Sequence, residues 1–163
     1  MISLSLDELV TYTDEEREKW RAWFAANPAA LNLTLQPDGR FATVGALVDH
    51  IFLVEARHLA RLQQEPVPDA SGIETTDAAG LFAYGTAVRA RLRAYFPTLA
   101  AADASTPREF TVQTGTVRMT PRKLLLHIAL HETRHWAQIA LGVRQAGLTP
   151  PGNHDLFYST ALE

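Results

Sequence analysis

The stretch whose reading decides the fold is Leu124–Gly142, LLLHIALHETRHWAQIALG. It reads as one uninterrupted helix that carries His127, His131 and His135 four residues apart, followed by Gln138. At about 100° per residue these four side chains, with Leu124 and Gly142, fall within about a quarter turn of one another. Histidines at i and i+4 can bring two ring nitrogens to about 3 Å across a gap, the bite of a tetrahedral or octahedral metal. The plainer reading is a row of buried histidines satisfied by hydrogen bonds. One such residue is ordinary, but three on one face are costly to satisfy without a charge or a metal. The spacing therefore points to a metal site.

The rest of the composition narrows what that site can be. The 163 residues suit a single domain, 1–163, long enough to bury a sizeable core. A chain 47% hydrophobic and 20% charged is ordinary for a soluble globular protein. Net charge is −3 and no long basic run occurs, so nucleic acid is not an expected partner. Arg89, Arg91 and Arg93 form the one basic concentration and read as the solvated face of a helix. With no cysteine, thiolate ligands and disulfides are both excluded, and a metal must be held by nitrogen and oxygen. The stretch MISLSLDELVTYTDEEREKW lacks a basic region followed by an apolar run, so no signal peptide is expected. No apolar run approaches a membrane span, and the expected address is the cytoplasm, with no membrane partner.

Working outward along the chain, Ser5–Ala26 is helical in pattern, with a break expected near Thr13, where Thr13 and Glu16 suit a capping box. Asp14, Glu15 and Glu16 would complement the helix dipole there, and Trp20, Trp23 and Phe24 form an apolar, core-facing patch. Asn27-Pro28 ends this helix, and Pro37-Asp38-Gly39 reads as a turn. A second helix is expected from Thr43, its N-cap, to Gln64. His50 and His58 lie on or beside its apolar stripe, and periodicity does not choose between them. A linker, 65–76, precedes a third helix over Asp77–Thr98. Phe110–Met119 alternates about Thr114-Gly115 and reads as a short hairpin. Thr120 as N-cap and Pro121 at the first helical position open the histidine helix, and Gly147 with Pro150-Pro151 closes it. One helical turn is expected in the tail after Gly152. The pattern predicts an all-α, antiparallel four-helix bundle of the up-down-down-up type, with one short β-hairpin before the last core helix.

At this point the run LLLHIALHETRHWAQIALGVRQAGLTPP resembles the last core helix of the DinB/YfiT-like family of small four-helix-bundle metal proteins. Phe41, His50 nine residues on, and then Glu55 are similar to the family's first ligand-bearing helix, and the hairpin and the Pro-Pro-x-x-x-Asp tail match as well. The chain departs from the family pattern at Trp136-Ala137, where Arg-Gly is usual, and at Glu132, where a small residue is usual. Position by position, the resemblance implies that His50, His131 and His135 bind the metal, with His127 and Gln138 as neighbours that tune or orient it. It also implies either metal-dependent hydrolysis or transfer of a low-molecular-weight thiol.

A rival reading comes from the same helix. His131-Glu132-Thr133-Arg134-His135 is a literal H-E-x-x-H zinc-protease motif, with Glu132 as general base. The metzincin extension fails, because Gln138 and Leu141 stand where Gly and His are required, and the only downstream glutamate is Glu163. Gly152-Asn153-His154-Asp155-Leu156-Phe157-Tyr158 is similar to the aspzincin element, which would make Asp155 the third ligand. That reading leaves His50 and His127 unexplained, and the bundle reading is preferred.

Three neutral imidazoles leave a metal its full charge, so it can lower the pKa of bound water or polarise a carbonyl. Zinc fits the ligand set, and nickel, iron or manganese would fit too; ligand type does not decide among them, and zinc or nickel is the expected metal. Glu132 lies about 100° around the helix from the middle of the stripe. It would be the catalytic base if it faced the metal, and is otherwise a surface or neighbouring carboxylate. Tyr84, Tyr95, Trp136 and Tyr158 could line a pocket, although aromatics in a bundle are more often core. The expected partner is a small-molecule substrate, and a homodimer is a further expectation, since such bundles often pair through an apolar face. The second class of function is a metal-binding stress protein without turnover, or a bundle stabilised by its metal. There a fourth ligand such as His127 or Glu55 would close the site.

Overall fold

A computed structural model of the chain describes residues 5–36, 39–112 and 114–162. Its element order is α1 (Leu6–Ala26), α2 (Val44–Gln63), α3 (Ala78–Tyr95), α4 (Ala101–Ser105), β1 (Arg108–Val112), β2 (Gly115–Met119) and α5 (Pro121–Gln145). Among the described residues the protein is thus mostly helical with one small antiparallel hairpin. No helix there is long and apolar enough to cross a membrane.

Local chemistry sets the helix ends. Ser5 caps α1 in a reciprocal box with Glu8, so the break expected at Thr13 does not occur. Thr13 lies inside the helix, where its hydroxyl donates to the Val10 carbonyl at 3.0 Å. Asp14 and Glu16 do not serve a helix start either, because Asp14 pairs with Arg89 and Arg93, and Glu16 with Lys19. Thr43 caps α2 and Thr120 caps α5, each hydroxyl accepting from the third residue of its helix. Pro121 occupies the first turn of α5, where its missing N–H costs nothing. Beyond α5, Gly147 adopts φ +79°, and Leu148 N–H returns to the Val143 carbonyl at 3.1 Å. The third helix is shorter than its pattern suggested. It stops at Tyr95 and passes into a 3₁₀ turn, Phe96–Thr98, because Pro97 cannot continue the ladder. The tail holds one 3₁₀ turn, Leu156–Tyr158. Of the expected turn at Pro37-Asp38-Gly39, Pro37 and Asp38 lie outside the described residues.

Packing follows the apolar stripes. α2 contacts both α3 and α5, and α1 also contacts both. The core divides into two clusters along the helices. One gathers Trp20, Phe24, Phe52, Phe82, Trp136 and Ile139. The other gathers Leu59, Leu62, Leu92, Phe110, Leu124 and Ile128. Trp23, expected with its neighbours in the core, is half-buried and donates its indole N–H to the Thr149 carbonyl at 2.8 Å, which ties the chain after α5 back to α1.

Candidate metal centre

α2 and α5 lie side by side, and His50 from the first meets the histidine stripe of the second. His131 Nε2 stands 3.2 Å from His50 Nε2 and 3.0 Å from His135 Nε2. One nitrogen from each ring falls within 4.8 Å of the other two, a group that could hold a metal ion. His50 and His135 are buried, and His131 is half-buried. The Phe41 ring packs on His50 with centroids 4.3 Å apart, and lies edge-on to His135 at 6.1 Å.

The donor set itself tests the fit. His135 Nδ1 donates to Gln138 Oε1 at 2.6 Å, so its Nε2 carries a lone pair. Three neutral imidazole nitrogens turned on one another cannot all find protons in that space. Nitrogens on one ion at about 2.0–2.1 Å stand about 2.8–3.4 Å apart across octahedral or tetrahedral angles, and the distances from His131 to His50 and to His135 fall in that range. Burial, with His135 and Arg40 nearby, pushes the His50 pKa down to about 4. Burial, with His135 and His50 beside it, pushes His131 down to about 3. Burial lowers His135 as well, against the raising effect of its bond to Gln138. All three rings are therefore neutral at neutral pH, the form that ligates.

The remaining sequence candidates separate. His127 is exposed, and its ring centroid lies 5.3 Å from that of His131, outside the three-histidine group. His58, which periodicity could not distinguish from His50, touches His127 at 5.3 Å and accepts from Arg61 Nη1 at 3.2 Å. Asp155 is exposed near the tail's 3₁₀ turn and is not in the group. Tyr158 is exposed and Tyr95 donates to the Leu62 carbonyl, so neither meets the histidines. Trp136 is core, stacked on Trp20.

Glu132 and Glu55 both stand in buried ion pairs, outside the three-histidine group. Each long helix contributes one charged side chain to a buried cluster made of Arg17, Glu55, Arg89 and Glu132. Arg17 donates to Glu132 through Nε at 2.6 Å and Nη2 at 2.9 Å, and it also contacts Glu55. Arg89 bridges Glu55 at 2.8 Å and Glu132 at 2.7 Å. Trp136 Nε1 adds a bond to Glu132 at 3.0 Å. Burial works to raise the Glu55 pKa, but Arg17 and Arg89 outweigh it and hold the carboxyl below its ordinary value. Arg89, expected on a solvated face, is only 4% exposed. Arg91 does stay at the surface, paired with Glu65. The reason is rotational, since Glu132 lies about 100° from His131 on the same helix and so faces the interior.

Sequence reasoning did not foresee this cluster, although a signal was present. Glu55 and Glu132 each interrupt an apolar stripe at i±4 spacing, Glu55 between Ile51 and Leu59 and Glu132 between Ile128 and Trp136, whereas Arg17 and Arg89 carry no such mark. The formal charges of the two arginines and the two glutamates cancel.

No curated protein matches the chain significantly. The DinB family model matches residues 1–161 of the 163. The chain therefore belongs to the DinB family.

Proposed function

We propose that this protein is a divalent-metal-dependent enzyme of the DinB/YfiT-like type, a hydrolase or low-molecular-weight-thiol transferase working on a small molecule. In this reading the four long helices form one up-down-down-up bundle, and His50, His131 and His135 hold the metal. The observation that carries it is the convergence of three neutral imidazole nitrogens at 3.0 and 3.2 Å. When bound, a zinc or nickel ion on three neutral ligands supplies a Lewis acid that acidifies water or a thiol. Iron or manganese would suit the same donors.

The chain's own residues divide the remaining work. Gln138 accepts from His135 Nδ1 and so fixes which ring nitrogen faces the centre. Phe41 packs on one side of His50. The two groups that could have closed the site as a fourth ligand do not do so. Glu55 is held by Arg17 and Arg89, and His127 stands outside the group. That supports an open coordination position rather than a purely structural ion. The ion pairs of Glu132 weigh against a role as general base and against the H-E-x-x-H protease reading.

Metal content by elemental analysis tests this on the wild type beside His50→Ala and Asp155→Asn. Stoichiometric metal that is lost in His50→Ala and kept in Asp155→Asn is the expected result. Loss in Asp155→Asn with retention in His50→Ala overturns the proposal.

A further inference from the structure

Two openings adjoin along the contact of α1 with α3. An apolar groove of about 880 Å³ lies between the end of α1 and the first half of α3, lined by Phe24, Pro28, Ala79, Phe82, Ala83 and Ala87. A cleft of about 300 Å³ continues it toward the buried charged cluster, and Arg17, Gly85 and Arg89 line it. Arg21, Phe82, Thr86 and Ala90 border both. None of the three histidines borders either one, so this is a second place on the molecule. On α3 the exposed positions here are Ala79, Ala83, Ala87 and Ala90. A solvated helix face usually carries long polar side chains. Methyl groups instead leave the space unfilled above Phe24 and Phe82, which are both buried.

The charged end has donors to spare and acceptors that are taken. Arg17 is only 7% exposed. Its Nε and Nη2 are used on Glu132 and Glu55, and Nη1 gives one N–H to the Gly85 carbonyl at 3.1 Å. A guanidinium has five N–H groups, so the second N–H of Nη1 is left without an acceptor among the described residues. Because Gly85 and Arg17 both line the cleft, that N–H stands at its floor. Arg21, at the junction, gives Nε and Nη2 to Glu18 at 2.7 and 2.5 Å and keeps Nη1 free. The carboxylates at the cleft, Asp14 and Glu18, are already paired, Asp14 with Arg89 and Arg93 and Glu18 with Arg21. A cationic head therefore finds no unpaired carboxylate, whereas a carboxylate finds two unspent guanidinium donors. At the far end of the groove stands Asp77, the cap of α3, which disfavours a second anionic end.

We propose that this groove binds a free aliphatic monocarboxylate, a medium-chain fatty acid, with its head on Arg17 and Arg21 and its chain along the alanine face of α3. The site stands apart from the metal centre and does not rest on the metal reading. From Gly85, level with Arg17, back to Ala78, α3 runs about 10 Å, the span of a chain of about eight to ten carbons.

The test is isothermal titration of the full chain with decanoate, octanoate, 1-decanol and decyltrimethylammonium. The charge-assisted contact predicts that decanoate binds about tenfold more tightly than 1-decanol, with the cation weakest. An open groove buries each methylene only in part, so decanoate should exceed octanoate by about fivefold. Arg21→Gln should bring decanoate to the affinity of 1-decanol and leave 1-decanol unchanged. Arg21 is half-exposed, so the fold withstands its loss. Ala83→Trp, at an exposed position, fills the groove and should weaken decanoate and 1-decanol alike by about tenfold or more, with far-UV circular dichroism unchanged. Equal binding of the three ten-carbon probes, equal weakening of decanoate and 1-decanol by Arg21→Gln, or undiminished binding by Ala83→Trp overturns the inference. So does the absence of decanoate binding. If that absence comes with self-association that Ala83→Trp abolishes, the groove belongs to a second copy of the chain.

Discussion

Replacing Glu132 by alanine separates its two readings most sharply. The substitution removes the acceptor of four hydrogen bonds, two from Arg17, one from Arg89 and one from the Trp136 indole. Two guanidinium ions then share one buried carboxylate, Glu55, with Asp14 reaching only Arg89 from the half-exposed edge. Leaving a buried charge without its partner costs about 3–5 kcal/mol, a large part of the roughly 5–15 kcal/mol that stabilises a typical domain. With a urea m value of about 2 kcal/mol/M, the unfolding midpoint should fall by about 2 M. The assay is urea unfolding of the apoprotein in chelator, followed by far-UV circular dichroism, so that metal binding does not mask the loss. Because the pair can be replaced by apolar groups of similar volume, Arg17→Met with Glu132→Leu should recover at least half of that loss. The Glu132→Ala protein, refolded without urea, should still bind metal stoichiometrically, since its carboxylate is not part of the histidine group. The reasoning is refuted if the midpoint moves by less than about 0.5 M while metal or metal-dependent turnover is lost.

Two further outcomes follow from the same geometry. Gln138→Leu removes the group that orients His135, and it should weaken metal binding about 10- to 100-fold in competition with a chromogenic chelator. Unchanged affinity would show that Gln138 is a bystander. The apoprotein should lose stability on acidification. The unfolded chain takes up protons on its histidines near pH 6.5, whereas burial holds the folded pKa of His50 to about 4 and of His131 to about 3. Stability from these rings is therefore undiminished above about pH 6.5 and falls from there to about pH 4 for His50 and about pH 3 for His131. Unfolding midpoints at pH 8 and pH 5 should differ, and the difference should shrink when His50 and His131 are both replaced by phenylalanine. A difference that survives the replacement would assign it to other groups.

The charged layer also shows how a fold can hide a feature in plain sequence. Arg89 sits among Arg91 and Arg93 and looks like part of a wet face, yet α3 turns it inward while Arg91 stays at the surface. Local pattern carries the direction of a side chain only relative to its own helix. It does not say that a carboxylate 34 or 43 residues away will be waiting. For the same reason Thr13 misled. A threonine followed by a glutamate suits a cap, but in this protein the helix had already begun at Ser5, and the hydroxyl satisfies a carbonyl one turn back.

What the sequence determined by itself is what depends on near neighbours. The caps at Thr43 and Thr120, Pro121 in the first turn of α5, the β1–β2 hairpin and the one-sided spacing of His127, His131 and His135 are all set within a few residues. What tertiary structure alone decided is how the helices are rotated against one another. Periodicity left His50 and His58 equivalent on α2. The packing of α2 on α5 brings His50 to His131 at 3.2 Å and leaves His58 beside His127. The same rotation that turns His131 and His135 toward His50 turns Glu132 to Arg17 and Arg89. A helix offers all its faces at once, and only its neighbours determine which of them becomes the site.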